Sequence, residues 1–359
     1  MRPSLTPFQF VTLFCTSFIA VPISLVPNTL MKTAEQDSWF GLIGGYVLCY
    51  LLFMLMYAIY RTAEKNRDHL PHAANRVFLF LFLLFVMANA AFTTRNFTEV
   101  VHTYFLMKTP TVVISLVTLV VAAYGAWYGI VSIARLSLLS FALAVIALLS
   151  MPLLVFREAD PAFLFPILSH SWSSMSYATW QATGAFLESF FILSLLPIVT
   201  IQPQKRGRLI TLSCLISIFL YTIMFALDFF IFGPYLGRKF MFPSVELVKY
   251  LSMGEFLERM DIVLIAVWSV VMTVKVSVLI WIGILDVAII FRLSDIRSSL
   301  LPLSILLLFF SELFAGNTMS FLYVYQHFWT VLALVGYFSF VGFYLTSLRF
   351  KKDGKISPT

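Results

Sequence analysis

Apolar residues run along this chain in blocks of roughly twenty, and charged residues, glycines and prolines collect in the short stretches between them. A helix rises about 1.5 Å per residue and about 20 residues cross a bilayer's hydrocarbon, so each block predicts one transmembrane helix. The pattern gives about ten spans, at approximately 8 to 30, 39 to 60, 77 to 98, 111 to 130, 136 to 156, 176 to 198, 209 to 232, 261 to 291, 299 to 314 and 326 to 348. The fourth and fifth run almost together through Gly129 to Arg135. Between the seventh and eighth lies the longest connection, Gly233 to Met260, where Pro243 and Ser244 open an amphipathic stretch with Val245, Val248 and Leu251 on one side. That stretch predicts a short helix packed on the bundle.

Two spans are interrupted. Pro22 and Pro27 stand in the middle of the first, and each removes a backbone donor and clashes with the preceding turn, so a kinked or unwound segment is expected there. The sixth contains Gln181-Ala182-Thr183-Gly184-Ala185-Phe186-Leu187-Glu188 and ends at Pro197. Read as two halves of five spans, the chain has its breaks at matching places, which is the pattern of inverted-repeat transporters with a ligand at the membrane midplane. The competing readings are a proline kink that shapes packing and a glycine that lets two helices approach.

Composition agrees with the pattern. Hydrophobic residues make up 60% of the chain, charged residues 11%, mean hydropathy is +0.93, and 38 residues are Phe. Soluble domains carry about 25% charged residues, so a polytopic membrane protein is indicated. The first segment is too long for a signal peptide and no cleavage site follows it, so it is expected to stay as the first transmembrane helix. Fifteen Lys and Arg fall in one set of loops, seven in the other, and Arg95 and Lys275 lie inside spans. By the positive-inside rule both termini are cytoplasmic. The net charge of +7 follows from this bias and implies no nucleic-acid partner.

Ionisable groups inside spans are costly and are therefore functional candidates. Arg95 and Glu99, four apart, are expected to form a structural ion pair. Glu188 and Lys275 have no local partner and are candidates for a pair across helices, serving as packing device, ligand clamp or proton relay. Asp228 and Glu312 are placed near span ends, where they reach the interface; His102, His170 and His327 have no metal-ligand spacing. Cys15, Cys49 and Cys214 all lie in apolar segments and suggest neither disulfide nor metal. No catalytic constellation and no cofactor or metal motif is present, which argues against an enzyme.

Phe242-Pro243-Ser244, then Phe256-Leu257-Glu258-Arg259-Met260-Asp261 and Trp268, resemble a signature of bacterial spore germinant-receptor B subunits. Thr94-Arg95 with Glu99, Lys108-Thr109-Pro110 and Ala134-Arg135-Leu136 continue the resemblance over nearly the whole chain. It implies an all-α polytopic protein of the amino acid, polyamine and organocation permease superfamily, with an inverted 5+5 repeat (LeuT-type) fold and broken first and sixth helices. It also implies the spore inner membrane, A and C subunits as partners, and a small nutrient ligand, commonly an amino acid, as the trigger. Many members carry two glycines at the first break; aligned on Pro27, these are Ala20 and Pro22 here, and proline offers no amide to a carboxylate.

The expectation is a single membrane domain over 1–359, with repeats at about 8–156 and 176–348 and a short basic tail at 349–359. The candidate ligand-binding residues are Pro22, Ile23 and Ser24 from the first span, Thr94 from the third, Thr183, Gly184 and Glu188 from the sixth, and Lys275 and Ser277 from the eighth. The expected function is nutrient sensing in a germinant receptor. A secondary amino acid or amine transporter and an ion-conducting subunit of the receptor complex are the alternatives.

Overall fold

The structure is a computed structural model and describes residues 4–64, 73–251, 260–313 and 318–353. Arg2, Lys65, Arg67, Lys355 and the Phe256 to Arg259 part of the signature lie outside the described residues. The first span is two helices, α1 (Pro7–Ala20) and α2 (Pro22–Ala34), joined at Val21. The others follow as α3 (Ser38–Glu64), α4 (Ala73–Tyr104), α5 (Thr111–Tyr128), α6 (Ile130–Val155), α7 (Trp172–Leu187), α8 (Arg206–Gly237), α9 (Pro243–Leu251), α10 (Met260–Phe291), α11 (Leu300–Leu313) and α12 (Thr318–Asp353). After α7 the sixth span continues as a 3₁₀ helix, Glu188–Ile198.

Among the described residues, nine helical stretches are long and apolar enough to cross a membrane; one of them joins α2 and α3, and α1 is shorter. Counting α1 with α2 as a single interrupted span gives ten, as the apolar blocks predict. The boundary between the fourth and fifth spans differs from the sequence reading, because α6 begins at Ile130 and not after Arg135. Gly129, at φ +86°, turns the chain without a loop, a conformation a side chain would strain, and Arg135 is carried on the exposed face of α6. Gly233, at φ +65°, ends the seventh span in the same way inside α8.

The first and sixth spans are the most enclosed, and α7, the first-span helices and the 3₁₀ helix form the centre around which α3, α8, α10 and α12 pack. Phe18 of α1 stacks on Phe186 of α7 at 4.9 Å with 6° between the rings, so the two interrupted spans meet directly. The contact between α3 and α7 is close because Gly41 and Gly45 face Ala178 and Ala182 with no room for a Cβ.

At the end of the bundle that carries the basic loops, Leu5 pairs with the chain after the sixth span. Its N–H donates to Ile198 O at 2.9 Å, and the Thr200 N–H and hydroxyl donate to Leu5 O at 2.8 and 3.0 Å. At the opposite end, Asn28 donates to Arg238 O and Phe240 O, Arg238 pairs with Glu35, and Asp37 accepts from the N–H groups of Leu168 and His170. The stretch predicted as a helix on the bundle is α9, which sits against α2, α8 and α10.

Candidate functional site

The first-span kink follows from its two prolines. Val21 keeps helical angles, φ −85° and ψ −45°, but Pro22 has no N–H, and Ser24 N–H turns to Val21 O at 3.1 Å, leaving Ala20 O without its usual donor. Pro27, four residues after Ile23, likewise leaves Ile23 O free. Side chains from other helices reach the carbonyls of this kink: Trp268 Nε1 donates to Ala20 O at 2.9 Å, the Ser244 hydroxyl to Ile23 O at 2.6 Å, and the Tyr221 hydroxyl to the neighbouring Pro22 O at 3.2 Å. The kink is thus tied to α10, α8 and α9, which satisfies groups that apolar surroundings would otherwise leave at a cost.

Against this kink lies a cavity of about 90 Å³, walled by α1, α2, α6, α8, α9 and α10. Ile19, Ala144, Leu148, Met151, Met224, Val245, Leu264 and Val271 give it an apolar surface, and Ser24, Ser244 and Trp268 are its polar members. Ser24 is anchored through Asn96, whose side-chain amide donates to the Ser24 hydroxyl at 2.9 Å. Behind Ser244 stands Asp228, fully buried, with Oδ2 bonded to the Ser244 hydroxyl and Oδ1 without a partner among the described residues. The sequence reading put Asp228 near the interface; the inward face of α8 buries it instead.

The second interruption is a change of helix type at Glu188, four residues after Gly184. A 3₁₀ run of eleven residues is long for that geometry and marks a place where the α ladder is given up. Glu188 is fully buried, pairs with Lys275 through Oε1, and accepts from Trp329 Nε1 at 2.8 Å through Oε2; its backbone carbonyl accepts from Asn89 at 3.2 Å. Gly184 sits where a Cβ would come within 2.3 Å of Thr330 Oγ1 and 2.5 Å of Thr330 Cα, so its place is set by the approach of α12.

Of the nine residues proposed from sequence, Ile23 and Ser24 line the cavity, and Pro22, together with Pro27 from outside that set, shapes the kink. Glu188 and Lys275 meet each other in the interior. The hydroxyls of Thr94, Thr183 and Ser277 donate to carbonyls four residues back in their own helices, at 2.8, 2.7 and 2.8 Å, a use that sequence does not reveal. Arg95 bonds Glu99 at 2.7 Å and also Glu312 at 2.9 Å, and Thr111, Ser115 and Thr318 donate to the two carboxylates. Glu312, read from sequence as an interface residue, therefore belongs to a network linking α4, α5, α11 and α12. Asp228, Ser244 and Tyr221 were not among the candidates, although the spacing of Pro27 from Ile23 already freed the carbonyl that Ser244 completes.

A family model described as "Spore germination protein" matches residues 4–319. The chain belongs to this family. Spore germination protein KB of Bacillus subtilis (strain 168) is 22% identical over 315 residues, covering 84% of each chain. Among solved structures, the nucleobase-cation-symport-1 family transporter Mhp1, closed with bromovinylhydantoin bound, superposes with a TM-score of 0.64 at 11% identity, covering 98% of this chain and 94% of that one. A Na⁺-coupled sialic acid symporter gives 0.60 at 14% identity, covering 96% and 90%. These likenesses establish the fold of this family member as all-α, polytopic and LeuT-type. Its relatives are described as spore germination proteins, and the solved structures that share its fold are transporters.

Proposed function

We propose that this spore germination protein is the ligand-sensing membrane subunit of a germinant receptor, binding a small nutrient at the first-span kink. The observation that carries the reading is the cavity of about 90 Å³ built against that kink in a chain of this family. The two halves, about 8–156 and 176–348, act as the repeats of a permease-like fold, with the chain in the spore inner membrane and both termini cytoplasmic. Occupation of the cavity favours one arrangement of the first span against α8, α9 and α10, and the A and C subunits read that arrangement. An effector shifts such an equilibrium only through contacts that differ between the two states, and the side chains completing the kink carbonyls supply contacts of that kind.

The test is dipicolinate release from spores lacking only this chain, challenged with amino acids, sugars, nucleosides and simple amines beside unmodified spores. Loss of the response to one nutrient is expected. An unchanged response to every nutrient would overturn the receptor reading and favour a secondary transporter, which the likeness to transporter folds over nearly the full length supports as the second reading. Uptake of labelled amine or amino acid into vesicles holding the purified chain then distinguishes the two.

A further inference from the structure

We infer that the cavity at the first-span kink takes a small aliphatic primary amine without a carboxylate, its ammonium group bound at Ile23 O and Ser244 in front of Asp228. The inference rests on the ligand-sensing reading above and names the chemical class of that ligand.

Hydrogen counting at the cavity wall carries it. Three acceptors stand at this wall or directly behind it: Ile23 O, which Pro27 deprives of its helical donor, and, behind Ser244, the two oxygens of Asp228. The Ser244 hydroxyl reaches Ile23 O at 2.6 Å and also Asp228 Oδ2, but it has one hydrogen and serves one of them at a time. Asp228 Oδ1 has no partner, and no Lys, Arg or His pairs with this carboxylate among the described residues. A fully buried carboxylate without a cation and with a single shared donor is costly, and the group that corrects both deficits at once is one with positive charge and several N–H donors. Ser244 is part of the cavity wall, so a ligand nitrogen at this edge stands one hydrogen bond from Asp228.

The remainder of the cavity decides what the nitrogen is attached to. Its walls beside Ser244 are Ile19, Ile23, Leu148, Met224 and Trp268, a lining for a short hydrocarbon body. Among the described residues, no Lys or Arg lines it. Two backbone positions at the kink are also withheld from an anion, since Pro22 has no N–H and Ser24 N–H is held by Val21 O. The carboxylate of an amino acid would enter unpaired, and a site that leaves a charged group unpaired rejects its bearer. A hard metal ion asks for about six oxygen ligands, more than this edge presents.

The experiment uses the full-length chain in lipid nanodiscs with four probes: isobutylamine, valine (the same skeleton with a carboxylate), isobutanol (the same skeleton without charge) and sodium chloride. Calorimetric titration is expected to show saturable binding of isobutylamine, tighter than valine or isobutanol by about tenfold or more, the size of one charge-assisted hydrogen bond. Asp228→Asn is expected to remove that advantage, while Asp286→Asn, which alters a buried carboxylate elsewhere, keeps it. Valine binding as tightly as isobutylamine, isobutylamine binding unchanged in Asp228→Asn, or an Asp228-dependent response to sodium alone would each overturn the proposal. If Asp228→Asn does not fold, the ranking of probes on the unmodified chain decides. Loss of a nutrient response in deletion spores together with no amine preference in nanodiscs rejects the amine and keeps the receptor; the opposite pair of results rejects the receptor and keeps the amine site.

Discussion

Glu188 and Lys275, 87 residues apart in sequence, form an ion pair in which both side chains are 0% exposed. The pair joins the point where the sixth span changes helix type to the middle of α10, and Trp329 closes the second oxygen of Glu188 from α12. Charges this deep are sustained by each other, so removing one is worse than removing both. Lys275→Met is expected to cost about 3–5 kcal/mol, whereas Glu188→Leu with Lys275→Met together recovers the larger part of that loss. Thermal unfolding of the purified chain in detergent checks this; a double variant no more stable than Lys275→Met would show that the pair does not act as a unit.

The close approach of α7 and α12 makes Gly184 intolerant of any side chain. Gly184→Ala would press a Cβ into the Thr330 backbone and is expected to cost about 1–3 kcal/mol, lowering the unfolding temperature. Gly283→Ala meets its neighbours at ordinary contact distances, 3.6 Å and beyond, and is expected to leave that temperature nearly unchanged. Equal stability of the two variants would refute the packing account. Gly184→Trp, far larger, is expected to abolish the nutrient response by the same route.

Leu5 O receives two hydrogen bonds from Thr200, one from the amide and one from the hydroxyl, and Thr200→Pro removes both. A loss of about 1–3 kcal/mol is expected at this end of the bundle, where the first and sixth spans are tied together. A cysteine placed at the half-buried Ser194 should then react faster with a maleimide than in the parent background. Unchanged labelling would mean that the pairing does not hold this end closed.

At the other end the clasp depends on Asn28, whose amide reaches two carbonyls of the loop before α9. Asn28→Ala leaves Arg238 O and Phe240 O without that donor. Limited proteolysis is expected to cut between Arg238 and Pro243 faster in the variant, and an identical cleavage rate would assign the closure to the Glu35 and Arg238 pair instead.

The charge bias predicts both termini in the cytoplasm. A C-terminal fusion to a reporter that is active only in the cytoplasm is expected to work, and one active only after export to stay silent. The reverse result would invert the topology.

The segments were legible in the sequence because lipid imposes a length and an apolar composition on every crossing, and charge marks each return to water. The ten spans and the short helix α9 follow from those demands alone. Boundaries moved where backbone geometry outweighs charge, as at Gly129, which lets α6 begin before Arg135. Residue types also showed which ionisable groups are costly, and Arg95 with Glu99 needed only helical spacing to be paired.

The use of each polar group was decided by the tertiary structure. Thr94, Thr183 and Ser277 turn back onto their own helices, Gly184 admits α12, and Glu312 closes on Arg95 across spans. Asp228 came to stand behind the cavity wall because α8 faces the kink and α9 brings Ser244, which lines the cavity, within hydrogen-bond reach of it. The sequence by itself determined that the chain crosses a membrane about ten times and that its first crossing is interrupted, since these are local consequences of hydrophobicity and of proline's missing amide; the sixth interruption was legible only as a glycine at the matching place in the second half. Only the tertiary structure decided which side chains complete the broken backbone, because that depends on contacts between residues up to 248 positions apart.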